Sequence, residues 1–130
     1  LRVQRRRIGG KGLDERRELL ESVLACPSDR PATMLDLADD LGSGNRTDLE
    51  RRLDVLKLFF RDLMFYKATG ETDEIVNRDM ADAIADYAGA FSTTELTDIL
   101  DDLLEAQQLL DRQVNAQFLM EDLLPKLRAE

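Results

Sequence analysis

The sequence lacks histidine and tryptophan altogether and has one cysteine, Cys26, among its 130 residues. Without histidine, neither a Ser-His-Asp triad nor the usual zinc sites of cysteine and histidine can form. A single cysteine excludes an intramolecular disulfide, and this pattern is typical of a cytoplasmic protein. Because no run of about 18 apolar residues is present, the sequence predicts no membrane-spanning helix.

Residues that interrupt helices are also scarce, with three prolines and seven glycines. Apolar residues make up 43% and charged residues 35% of the chain, and leucine, alanine, aspartate, glutamate and arginine dominate. Most of these residues favour helices, and the length suits one domain that buries a core without disulfides or metals. The sequence shows no strand-like alternation and no repeat, so it predicts an all-α fold.

Positive charge is concentrated at the start of a chain whose net charge is −9. The first 11 residues, LRVQRRRIGGK, carry five positive charges and no negative one, so the remaining 119 residues carry −14. A body this acidic repels phosphate groups, and we therefore predict that it does not bind nucleic acid directly. The basic segment could contact nucleic acid or a membrane, but a solvated linker is the favoured interpretation.

Apolar spacing, capping residues and helix-ending glycines or prolines predict six helices. They are Leu13 to Ala25, Pro31 to Leu41, a long helix from Asn45 or Thr47 to Gly70, a fourth from Asn77 or Thr72 to Gly89, a fifth from Ser92 to Arg112, and a last one from Asn115. In the last helix, Pro125 should introduce a kink or an early end. The predicted fold is a compact bundle of about six helices.

The long third helix is apolar over most of its circumference. At 100° per residue, its polar residues Glu50, Asp54, Lys57 and Arg61 fall on one strip about 60° wide. Large apolar residues occupy most of the rest, which is typical of a buried helix. We therefore predict that this helix lies at the centre of the bundle.

Asp62 lies outside that polar strip, on the side of Val55, Leu58 and Phe65. A carboxylate buried there requires hydrogen-bond donors, because an unpaired buried charge is very unfavourable. No basic residue lies three or four positions away on the same helix. We expect the donors to come from another helix, from backbone N–H groups or from a second subunit.

Two further positions are predicted helix caps. Ser92 and Glu95 form an S-x-x-E capping box immediately before a periodic apolar run. Asn115 is the predicted N-cap of the last helix. The capping role accounts for Ser92 and Glu95 without acid–base chemistry.

Acidic pairs are the remaining candidates for site chemistry, at Asp39-Asp40, Asp101-Asp102 and Glu121-Asp122. Such pairs can bind divalent cations, but a di-iron bundle of the common kind also needs histidine. Solvated helix faces are the favoured interpretation. We predict no catalytic residue, no metal site and no cofactor.

Two stretches of the sequence, taken together, resemble a known family. They are LDVLKLFFRDLMFYKATG, Leu53–Gly70, and IVNRD, Ile75–Asp79. Bacterial DNA polymerase III clamp-loader subunits carry, after their ATPase modules, a helix of the kind L-x-x-x-x-x-W/F-x-R-D-L-L-x-x-K-x-G followed by I/V-x-N-x-D. The stretch from Ala106 to Leu124 is similar to the last two helices of that family, so the resemblance covers roughly residues 13–128.

The resemblance implies the C-terminal domain of a clamp-loader subunit, most similar to delta-prime, with gamma/tau next. On this interpretation residues 1–12 are a basic linker remnant and residues 13–130 are a helical oligomerisation domain. In such complexes the C-terminal domains of five subunits pack into a collar that supports ATP-driven loading of the sliding clamp onto primed DNA. The implied partners are the other clamp-loader subunits, gamma/tau and delta, with no small-molecule substrate and no membrane.

The resemblance and the helix geometry together give the candidate structural or interface residues. Arg61, on the polar strip, can reach solvent or a neighbouring subunit, whereas Asp62 should fix the packing of the long helix. Phe65 and Asn115 complete the set. Two positions depart from the family pattern: Gln113 stands where asparagine is frequent, and Pro125 interrupts the final helix.

Two alternatives stay open from the residues alone. The chain can be an unrelated acidic helical adaptor or regulatory domain that binds some other protein. It can also be an enzyme that holds a metal ion with its acidic pairs, which predicts that divalent cations raise its melting temperature. Binding to clamp-loader subunits separates the first interpretation from both alternatives.

Overall fold

A computed structural model describes residues 12–25 and 31–127. Within these residues the chain forms six α-helices and two 3₁₀ turns, with no β-strand, so the prediction of an all-α bundle is confirmed. The helices are α1 Gly12–Ala25, α2 Pro31–Leu41, α3 Arg46–Thr69, α4 Ala81–Ala88, α5 Thr93–Asp111 and α6 Ala116–Leu123, with 3₁₀ turns at Arg78–Met80 and Leu124–Leu127. Cys26 and the basic residues 1–11 lie outside the described residues.

Capping residues set both ends of the long helix α3. Of the two predicted N-caps, Asn45 is used: its side chain accepts a 2.9 Å hydrogen bond from the N–H of Asp48, whose carboxylate accepts one from the N–H of Asn45. Thr47 lies inside the helix. At the other end Gly70 has φ +73°, a left-handed conformation that glycine adopts without strain, and its N–H bonds to the carbonyl of Tyr66.

The predicted start of the fourth helix was wrong. Neither Asn77 nor Thr72 caps it; the helix begins at Ala81, after the 3₁₀ turn, and the Asn77 side chain makes no capping bond. That side chain instead donates to the buried carboxylate of Asp62. Satisfying a buried charge outweighs capping an exposed helix end, which water can also do.

The core forms around α3, which packs against α5, α4 and α1. The remaining helices form a second group, in which α2 packs on α6 and α6 also packs on α5. Twelve large side chains in the described part of the chain are almost completely buried: Leu19, Leu20, Leu41, Leu53, Leu56, Phe59, Phe60, Leu63, Ile84, Leu96, Leu103 and Met120.

The expectation that α3 is buried nearly all round is only partly right. One set of its apolar side chains is half-buried, namely Val55, Leu58, Met64, Phe65 and Tyr66. The helices that pack on α3 are mainly α5, α4 and α1, and they leave this part of its surface incompletely covered. A partly open apolar surface therefore remains on the central helix.

Arg52 is a buried residue that the sequence analysis missed. Only 5% of it is exposed, and its Nη1 donates to the carbonyl of Leu41, the last residue of α2, and to that of Ser43, just beyond it. Burial lowers the pKa of this guanidinium, and the attraction of Asp48 offsets only part of that effect. Arg52 lies three residues after Leu49, within the core-facing stripe of α3. That position in the sequence already indicated that Arg52 is buried.

Gly42 allows the end of α2 to approach the start of α6 closely. A Cβ placed on Gly42 would lie 2.8 Å from Cα and 2.9 Å from N of Gln117, closer than real side chains approach a backbone. We predict that Gly42→Ala destabilises the domain by about 2 kcal/mol, because the two helices must move apart. Urea denaturation measures this loss.

Gly89→Ala is the matched control for Gly42→Ala. A Cβ on Gly89 meets nothing closer than the carbonyl oxygen of Asp86 at 3.7 Å, and the backbone there is already helical. We expect this variant to be neutral or more stable by about 0.5 kcal/mol. Equal effects of the two substitutions would show that α2 and α6 are not in close contact at Gly42.

Candidate functional site

Asp62 lies at the centre of a polar network that joins three segments of the chain. It is 1% exposed. Its Oδ1 accepts a 2.9 Å hydrogen bond from the N–H of Val76, and its Oδ2 accepts bonds from the backbone N–H and the side-chain Nδ2 of Asn77, at 2.8 and 2.7 Å. Three donors thus surround the carboxylate, which removes the penalty of burying it.

Asn77 extends this arrangement to α1. Its side-chain oxygen accepts a hydrogen bond from Nη1 of Arg16, while its side-chain nitrogen donates to Asp62. The Nη2 of Arg16 contacts both carboxylate oxygens of Asp79 at 2.8 Å, and Arg17 adds a contact to Asp79 at 3.1 Å. We call Asp62, Asn77, Arg16, Asp79 and Arg17 the Asp62 network.

The network contains residues from both motifs noticed in the sequence. The aspartate of the Arg-Asp pair is Asp62, and the asparagine and aspartate of the N-x-D segment are Asn77 and Asp79. Burial alone would raise the pKa of Asp79, but the hydrogen bonds and charges of Arg16 and Arg17 hold it below its ordinary value. The motif residues therefore fix how the α3–α4 connection and α1 sit on α3.

Asp79→Asn should have a pH-dependent effect on stability. We expect a loss of about 1 kcal/mol near neutral pH, the upper end for exposed ion pairs. Because the folded pKa lies below the ordinary 3.8, the contribution of Asp79 is fully present above that value and disappears as the pH falls through the folded pKa. Urea denaturation of both proteins from about pH 7 down to about pH 3 measures the difference.

Asp73→Asn serves as the control for this pH series. The Asp73 side chain is exposed and forms no ion pair within the described part of the chain. Its substitution should leave stability unchanged at every pH. A difference between wild type and Asp79→Asn that stays constant across the series would contradict the assigned ion pairs.

Arg61 points away from the network although it is the neighbour of Asp62. It is exposed, and its side chain has no hydrogen bond or ion pair with any other described residue. Arg61 belongs to the polar strip of α3, which lies beside α5. There Gln107 donates to Asp54 at 2.7 Å and accepts from Lys57 at 3.3 Å. Arg61 is therefore a cation on the polar edge of α3 that is open to a partner.

The other predicted residues are placed separately. Phe65 is half-buried against the core, one turn after Asp62. Asn115 accepts a 2.8 Å hydrogen bond from the N–H of Phe118 and takes no part in the Asp62 network. Ser92 and Glu95 make the reciprocal bonds of a capping box, at 3.0 and 2.7 Å, at the start of α5.

Among the residues whose side chains the structure describes, four large apolar ones are at least half exposed: Leu35, Val76, Leu104 and Phe118. They lie on different elements, with Leu35 on α2, Leu104 on α5 and Phe118 on α6. Single exposed apolar residues are ordinary on protein surfaces, and Phe118 belongs to the apolar set from which the last helix was predicted.

The acidic pairs do not converge into a site. Within residues 12–25 and 31–127, no group of three or more aspartate, glutamate, cysteine or histidine residues is arranged to hold a metal ion. On α5, burial raises the pKa of Asp102, and so do Glu105, Asp98 and Asp101, against the opposing effect of Lys126. In the same described ranges no helix is long and apolar enough to cross a membrane.

Comparison with known proteins identifies the family. The family model described as DNA polymerase III, delta subunit, C terminal, matches residues 11–129. No curated protein and no solved structure gives a significant match. Because the family model spans almost the whole chain, the chain belongs to the family of C-terminal domains of DNA polymerase III delta subunits, which are clamp-loader domains.

Proposed function

We propose that this domain assembles a clamp loader by packing beside the C-terminal domains of other subunits in a collar. The observation that carries the proposal is the family match over residues 11–129, in a fold that joins the motif residues Asp62, Asn77 and Asp79 in one network. In this role the domain binds neighbouring subunits and supports clamp loading without hydrolysing ATP. Family membership also disfavours the alternative of an unrelated acidic adaptor.

Within the ring, we assign the domain to the delta-prime position. The basis is the resemblance of Leu53–Gly70 and Ile75–Asp79 to delta-prime subunits, while the family model that matches is described for delta. Reconstitution distinguishes the two positions. A delta-prime-type domain should join a mixture of gamma/tau and delta, and a delta-type domain should join gamma/tau together with delta-prime.

We further propose that the exposed edge of α3 forms part of the subunit interface. Arg61 is exposed and without an ionic partner in the described part of the chain, and the half-buried Phe65 lies four residues further along the same helix. An arginine beside aromatic surface is a frequent centre of binding energy at interfaces. Asp62 contributes indirectly to this interface, because it holds the α3–α4 connection in place.

The test is binding of the chain to gamma/tau and delta from the same cell, measured by size-exclusion chromatography and calorimetry. Arg61→Glu should weaken binding at least tenfold, with an unchanged melting temperature. Arg112→Glu, which changes an exposed arginine in the α5–α6 turn, should bind like wild type. If the wild-type chain binds no clamp-loader subunit, the assembly role fails; if Arg61→Glu binds normally, only the placement of the interface fails.

The basic residues 1–12 have a separate place in this proposal, as the linker from a preceding module. The supporting observation is their charge, five positive groups before an acidic domain. The gene upstream of Leu1 should then encode an ATPase-like region of about 200 residues, on the usual scale of domain sizes. A short upstream sequence without such a region would contradict the linker assignment.

A further inference from the structure

Helix α1 is attached to the bundle mainly through one helix. Among the described elements it packs on α3 and makes at most minor helix-to-helix contacts elsewhere, whereas α3, α5 and α6 each pack against two or more elements. Its buried apolar side chains are Leu19, Leu20 and Val23, all in the second half of the helix. Among the side chains described in its first half, Glu15, Arg16 and Arg17 form ion pairs with other segments.

Those polar contacts centre on one arginine. The Arg16 side chain is only 16% exposed and binds both oxygens of Asp79 and the side-chain oxygen of Asn77. We call this set of contacts, from Arg16 to Asn77 and Asp79, the Arg16 latch. The neighbouring contact from Arg51 to Glu15 is made by an arginine that is 44% exposed, so solvent weakens it more.

The Arg16 latch binds the α3–α4 connection, which the buried carboxylate of Asp62 also holds in place. Asp62 receives two of its three hydrogen bonds from backbone N–H groups, those of Val76 and Asn77, and these remain when Arg16 is removed. The N–H of Asn77 and its Nδ2 both contact the same carboxylate oxygen. Loss of Arg16 therefore leaves the α3–α4 connection anchored on Asp62, and of the α1 contacts to Asp79 it leaves only that of Arg17, whose side chain is 47% exposed.

We propose that α1 is a separately releasable helix, which the Arg16 latch holds on a bundle that stays folded without it. Opening the latch lets α1 leave α3 while α3 to α6 keep their packing. Because α1 begins at Gly12, directly after residues 1–11, a force applied to that preceding segment acts on α1 first. The inference concerns α1 alone and does not depend on the proposed assembly role.

Native-state hydrogen exchange of the full 130-residue chain tests this proposal. In the wild type, the amides of Leu19 to Val23 should exchange through an opening that is much more frequent than the one that exposes α3 and α5. Arg16→Gln should accelerate exchange at these α1 amides at least tenfold. The amides of Leu56 in α3 and Leu103 in α5 should change less than twofold.

Arg46→Gln is the matched control, because Arg46 bonds to Glu50 and Asp111 and has no contact with α1. It should leave the exchange of α1 unchanged. Arg16→Lys, which keeps the charge but loses the two-nitrogen geometry, should give an acceleration between wild type and Arg16→Gln.

Two results would overturn the proposal. In the first, wild-type α1 amides exchange at the same limiting rate as Leu56 and Leu103, so α1 unfolds only with the whole domain. In the second, Arg16→Gln accelerates α1, α3 and α5 equally, so Arg16 stabilises the bundle as a unit. If Arg16→Gln prevents folding altogether, the bundle requires α1 and the proposal is wrong.

Discussion

Asp62→Asn is expected to destabilise the domain by about 3 kcal/mol, because hydrogen bonds to a charged group each contribute about 1.5–3 kcal/mol. The asparagine retains one acceptor oxygen, so its NH₂ group must face either the N–H of Val76 or the two donors of Asn77. Two buried donors cannot bond to each other. Urea denaturation followed by circular dichroism measures the loss.

A second substitution of Asp62 and a control on the same helix test this prediction further. Asp62→Ala leaves all three donors without an acceptor and should cost about 4 kcal/mol or more. Asp54→Asn, on the exposed strip of the same helix, keeps an oxygen for Gln107 and should change stability by less than about 0.5 kcal/mol. Equal stability of Asp62→Asn and Asp54→Asn would refute the role assigned to the buried carboxylate.

Phe60→Ala should have the largest effect of a single core substitution, about 4 kcal/mol. Phe60 is completely buried, and its ring meets two others edge-to-face: Phe59 at 5.6 Å and Phe91 at 5.8 Å between centroids. Removing the ring loses its burial and both ring contacts and leaves a cavity between α3 and the turn before α5. Because domains of this size are stable by only about 5–15 kcal/mol, the variant should melt far below wild type.

Phe118→Ala is the control for this change, because Phe118 is 64% exposed. The same truncation there removes little buried surface and should change stability by less than about 0.5 kcal/mol. The melting temperatures of the two variants and of wild type test this prediction. Similar melting temperatures for the two variants would contradict the described burial of Phe60.

The parts of this fold that the sequence predicted are those governed by local chemistry. Asn45, Gly70 and the Ser92–Glu95 box bond to atoms within four residues of themselves, so their roles are visible in a short stretch of sequence. The same holds for the all-α class, because apolar spacing is also a local pattern. The early end of α6 at Leu123, followed by a 3₁₀ turn containing Pro125, has the same origin.

The parts that escaped prediction depend on chain paths over longer distances. The donors to Asp62 lie 14 and 15 residues further along, at the far side of a connection whose course the sequence does not specify. Arg52 binds carbonyls 9 and 11 residues earlier, beyond the end of another helix. Asn77 was assigned to the nearest helix start because its competing partner, Asp62, becomes a neighbour only in the folded chain.

The connection that follows α3 is anchored at both ends and exposed between them. Gly70 closes the helix, and Ile75, which is 3% exposed, begins the stretch that Asp62 holds. Between these points the side chains of Glu71, Asp73 and Glu74 face solvent. Lengthening such a loop adds little to the entropic cost of closing it. A short tag or fluorescent reporter inserted after Glu71 should thus be tolerated, and it would report on the domain without interrupting a helix.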